Sequence, residues 1–134
     1  MTKFMLLQNY GATLGCDIPM TEWTPEDVNA HIRFQHDLNR ELIESGELVD
    51  AQGLAGPEAA KFVRFDGAGS PVVTDGPFPE SKELLAGYRI VDVESEARAI
   101  EIAAKASAAP GPRGVPIQDS IEVRQIMGAP SDDL

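Results

Sequence analysis

The apolar run Phe4-Met5-Leu6-Leu7 shows no helical period and ends at Gly11, which predicts a strand over residues 4–10. Residues 11–22, with Gly15 and Pro19, read as a loop. Thr24-Pro25-Glu26-Asp27 then predicts a helix start. Thr24 can cap, Pro25 suits the first helical position, and the two acids favour the positive end of the dipole. This helix should reach about residue 45, with Gly46 closing it in the left-handed region. Residues 47–51 predict a second strand. Residues 61–65 and 71–74, which flank Asp66-Gly67-Ala68-Gly69-Ser70, predict a hairpin. A strand over 87–93 and a helix from Ser95 to about residue 106 follow, and Pro110-Gly111-Pro112-Arg113-Gly114 breaks the chain. A last strand is expected over 120–127. Residues 1–127 thus form one domain, and 128–134 a flexible acidic tail. The order β-α-β, hairpin, β-α-β predicts an α+β fold, a ferredoxin-like β-α-β-β-α-β sandwich with a hairpin insertion.

At about 100° per residue, Val28, Ile32, Leu38, Leu42 and Ile43 define the inward face of the first helix, with Phe34 at its margin. His31, Gln35 and Asn39, each four residues apart, fall inside that apolar arc. A polar stripe on a buried face needs partners, because an unpaired group costs on the order of 1–3 kcal/mol. Two arrangements answer the need: a wet cavity in which Gln35 and Asn39 contact a ligand, or bonds to neighbouring backbone or a subunit interface. His36 borders the same face. His31 and His36 are five residues apart, the wrong spacing for a two-histidine metal site on one helix, so no metal is expected.

Composition narrows the function classes. With 43% hydrophobic and 25% charged residues in 134, the chain is an ordinary one-domain globular protein. A net charge of −11 argues against nucleic acid and anionic lipid as partners. Cys16 is the only cysteine, which excludes an internal disulfide and leaves a lone thiol. The short apolar run at the N-terminus suits neither a signal peptide nor a membrane span, so a cytoplasmic location is the default expectation. The glycine-rich pieces at 67–69 and 111–114 lack the strand–loop–helix setting of phosphate cradles. No cofactor is expected.

Thr74-Asp75-Gly76-Pro77-Phe78-Pro79-Glu80-Ser81-Lys82-Glu83, leading into Leu84–Val93, is the most informative stretch. Asp-Gly-Pro makes a sharp turn, which can aim the Asp75 carboxylate as a proton acceptor or as the orienter of an imidazole. The same carboxylate can instead bond the amides of its own turn. Lys82 and Arg124 are candidates to attract an acidic ligand, and Tyr88 to touch it.

This motif resembles the signature of the YCII-related family, in the branch marked by Asp-Gly-Pro-Phe. The likeness extends to the first strand, to Glu44-Ser45-Gly46-Glu47-Leu48 and to Ile121-Glu122-Val123-Arg124. Many relatives carry Pro after that Arg, where this chain has Gln125. The resemblance implies a dimeric α+β barrel, in which two such sheets pack face to face. It also implies a pocket between helix and sheet, with Asp75 paired to a helix histidine, His36 or His31, as an acid/base dyad. The activity implied is cofactor-independent isomerase- or lyase-like chemistry on a small molecule. The alternative is a non-catalytic binding or regulatory module, associated with an alternative sigma factor.

Overall fold

A computed structural model describes residues 1–10, 18, 20–75 and 84–129, with Tyr10 and Leu84 as backbone only. Strands β1 (Thr2–Tyr10), β2 (Leu48–Gly53), β3 (Lys61–Phe65), β4 (Pro71–Asp75), β5 (Leu84–Val93) and β6 (Ile121–Gln125) accompany helices α1 (Pro25–Glu44) and α2 (Glu96–Ser107). Four strands form one antiparallel sheet in the order β2-β5-β1-β6. Each helix joins two strands that are separated by one neighbour, the ferredoxin-like split β-α-β arrangement. β3 and β4 pair only with each other, as a separate two-stranded hairpin.

The helix ends follow the local chemistry. Thr24 Oγ1 accepts from the Asp27 amide at 3.2 Å, and Ser95 Oγ accepts from the Arg98 amide at 3.2 Å. Gly46 lies at φ 80°, a value glycine takes without penalty. At the hairpin tip, Asp66 Oδ1 accepts from the amides of Ala68, Gly69 and Ser70. Those bonds hold the Asp66 carboxyl below its usual pKa.

One face of the sheet carries the core. Phe4, Leu6, Val91 and Val93 pack under Leu38 and Leu42 of α1 and under Ala99, Ile102, Ala103 and Ala106 of α2. Alanines on α2 let that helix lie close to the strands. On α1 the buried face is centred on the line through His31, Leu38 and Leu42, so Ile32 and Ile43 lie on the exposed flank. Of the inward face drawn through Val28, Ile32, Leu38, Leu42 and Ile43, the two leucines are buried and the two isoleucines are corrected to the exposed side. Their shared side is about a third of a turn from the stripe that the sheet actually covers.

The other sheet face bears Met5, Leu7, Tyr88 and Ile90, with Met5 opposite Ile90 and Leu7 opposite Tyr88. All four side chains are half-buried. No helix among the described residues is long and apolar enough to cross a membrane.

Candidate functional site

Along β5, alternate residues point to opposite faces, so Gly87 and Arg89 share the core side with Val91 and Val93. Arg89 is 5% exposed, the one buried charged residue among those described. The stripe on α1 meets it. Arg89 Nε donates to Asn39 Oδ1 at 2.7 Å, and Nη2 donates to Gln35 Oε1 at 2.5 Å. The Gln35 amide approaches His31 Nε2 at 3.4 Å, and His31 Nδ1 lies 3.0 Å from the Pro110 carbonyl. A carbonyl can only accept, so Nδ1 carries the proton and Nε2 accepts from Gln35. The bonds therefore run in one direction, from guanidinium to amide to imidazole to carbonyl.

The break after α2 is what presents that carbonyl. Ile117 N–H bonds Ala109 O, Gln118 N–H bonds Ser107 O, and Ser107 Oγ donates to Asp119 O at 2.6 Å. This foldback turns Pro110 toward His31 and brings Asp119 to Gln8, whose Nε2 donates to Asp119 Oδ2 at 3.3 Å. Trp23 stands edge-on to the His31 ring with centroids 5.6 Å apart. Burial pushes the Arg89 guanidinium below its usual pKa, opposed by the negative charge of Asp119. It stays a cation, because arginine starts far above neutrality.

Glycines stand beside Arg89 in the sheet, and Gly87 is itself buried. The next row across the strands reads Gly53, Gly87, Gln8 and Ile121, so two adjacent positions carry no side chain. Gly87 also permits close strand approach, since a Cβ there would lie 2.8 Å from the Gln52 carbonyl oxygen.

The residues singled out in the sequence divide among four places. Gln35, Asn39 and His31 gather around Arg89. Tyr88 lies on the opposite sheet face, where its hydroxyl donates to Asp50 Oδ2 at 3.1 Å, a bond that raises the phenol pKa. Arg124 is exposed on that same face and pairs with Glu122 at 3.3 Å. Asp75 ends the hairpin, exposed, with its carboxylate 2.8 Å from Lys61 Nζ. His36 is exposed and makes no hydrogen bond among the described residues. Lys82, Cys16 and the Gly76-Pro77 turn lie outside the described residues.

Arg89 was absent from the candidate set, although strand alternation points to it. Counting back from Val93 by twos reaches Arg89 on the core face. Among the described residues, no three His, Cys, Asp or Glu side chains gather into a cation site. Separately, Phe34, Asp37, Leu38, Glu41, Lys105 and Ala108 line a cleft of about 270 Å³ between the helices. A 3.1 Å Lys105–Glu41 ion pair is part of that lining.

Fold and site together define a ferredoxin-like α+β domain with an arginine-centred polar layer between helix and sheet. Residues 3–126 match the model of the YCII-related domain, and the chain belongs to that family. An uncharacterized protein of Rhizobium meliloti (strain 1021) is 33% identical over 81 residues, which cover 60% of this chain and 64% of that protein. The chain thus spans just under two thirds of the length of that relative.

Proposed function

We propose that this chain is a cytoplasmic homodimer that binds a small molecule in the layer between α1 and the sheet, beside Arg89. The observation that carries the reading is the buried guanidinium held by two neutral amides. Burying a charge without an opposite charge in contact is unfavourable, and a ligand is one group that redresses it.

Two surfaces support the dimer. Met5, Leu7, Tyr88 and Ile90 make a mostly apolar, half-buried face, and Val63, Phe65 and Val73 of the hairpin are more than half exposed. A lone two-stranded hairpin is marginally stable in water, so its apolar residues gain by being covered. Binding takes precedence over acid/base catalysis, because Asp75 is engaged by Lys61 and His31 by the Pro110 carbonyl.

A thermal-shift screen of small metabolites tests the site. At least one compound should raise Tm in the parent and fail to do so in Gln35→Leu, which removes a first contact of Arg89. Absence of any hit, or hits that Gln35→Leu keeps in full, overturns the reading. Light scattering should show a dimer at micromolar concentration, and a monomer there would reject the second part.

A further inference from the structure

We infer that the ligand of this site is a small monocarboxylate, received by the one nitrogen of Arg89 that makes no hydrogen bond among the described residues. The inference rests on the binding reading above. A guanidinium has five N–H donors. One, on Nε, goes to Asn39 and one, on Nη2, to Gln35. Nη1 makes no hydrogen bond among the described residues. Nor is it a sealed orphan: Asp92 Oδ1 is the one buried side-chain polar atom without a partner among the described residues. Nη1 therefore reaches space that solvent enters, although the residue as a whole is 5% exposed.

The chemistry of the occupant follows. No described carboxylate bonds this guanidinium, because Asp119 is engaged by Gln8 and acts on Arg89 only through its field. A carboxylate oxygen is a charged acceptor, and its bond to a guanidinium N–H is shorter and stronger than a bond between neutral groups. One cation in a chain of net charge −11 favours a monoanion over a dianionic phosphate or sulfate. The amide nitrogen of Gln35 meets His31, whose ring is in turn packed edge-on by Trp23, so the amide itself stays fixed on Arg89.

The test titrates the full chain with sodium benzoate, with benzamide as its neutral isostere, and with sodium sulfate at matched ionic strength. Benzoate should raise Tm by on the order of 5–10 °C at a hundredfold excess over its Kd, and the other two should not. Gln35→Glu places a carboxylate on Arg89 from within the chain and should weaken benzoate binding at least tenfold. If benzamide matches benzoate, the anion class is overturned and the pocket stands. If sulfate matches benzoate, or Gln35→Glu retains full benzoate affinity, carboxylate recognition at Arg89 is overturned. If benzoate fails to bind, the inference falls, and the metabolite screen decides separately on the pocket. Should Gln35→Glu not fold, the Arg89 Nε–H signal in 15N NMR decides: a benzoate-dependent shift supports the site, and an unmoved signal overturns it.

Discussion

Arg89 and Asp75 show how poorly charge alone marks a residue's importance. Arg89 is buried against α1, and removing either amide oxygen it bonds would cost it a charge-assisted hydrogen bond. Such bonds are worth about 1.5–3 kcal/mol. Asn39→Leu should therefore lower unfolding free energy by roughly 2 kcal/mol in urea titrations, and a loss under about 0.5 kcal/mol would show the bond to be dispensable. Asp75 presents the contrast. Its pair with Lys61 is exposed on both sides, and such pairs contribute about 0–1 kcal/mol. Asp75→Asn should thus leave the urea midpoint nearly unchanged, and a large drop would point to a role beyond this ion pair. The helix stripe was legible from residue spacing; its partner was not, because no local rule pairs Gln35 with a residue 54 positions away.

At the scale of elements, the junction of β2 with β5 is the most constrained. Gly87 faces Gly53 across the ladder, and an added Cβ would press on backbone that has no rotamer to yield. Gly87→Ala should cost on the order of 1–3 kcal/mol, as overpacking does, and should disturb the floor beside Arg89. Calorimetry giving an unchanged Tm would show that β2 shifts freely. The caps, by contrast, are local chemistry, and Thr24 and Ser95 act where the sequence predicts them. The inward face of α1 is only partly local. Leu38 and Leu42 face the sheet as their spacing suggests, while Ile32 and Ile43 remain outside. A helix with apolar residues over more than a third of its circumference can dock in several rotations. Here the sheet selects the one that satisfies His31, Gln35 and Asn39 as well.

Across the whole molecule, one ion pair ties the turn after α1 to α2. Arg98 binds Glu47 through two bonds, Nε to Oε2 at 2.9 Å and Nη2 to Oε1 at 2.8 Å. The bonds from Arg98 come first, with help from Ser45, in holding the Glu47 carboxyl at about 2, below its ordinary 4.5. A depressed carboxyl stabilises the fold above its unfolded pKa and loses that contribution as pH falls through the folded value. Glu47→Gln should therefore cost on the order of 1–2 kcal/mol at neutral pH. The gap from the parent should close between about pH 4.5 and pH 2. Urea titrations at pH 7 and pH 2 check this, and a gap that persists at the lower pH would assign the effect to packing.

Element order, both helix caps, the Gly46 stop and the hairpin tip follow from the sequence by itself, because each rests on contacts between residues a few positions apart. The ferredoxin-like class follows too, since the order of elements leaves few ways to bury both helices on one sheet. Only the tertiary structure decided that the α1 stripe closes on Arg89, that Pro110 faces His31, and that Tyr88 and Arg124 lie on the opposite side of the sheet. Strand register and helix rotation set those juxtapositions. Both are fixed by summed burial over the whole core, which no local stretch of sequence encodes.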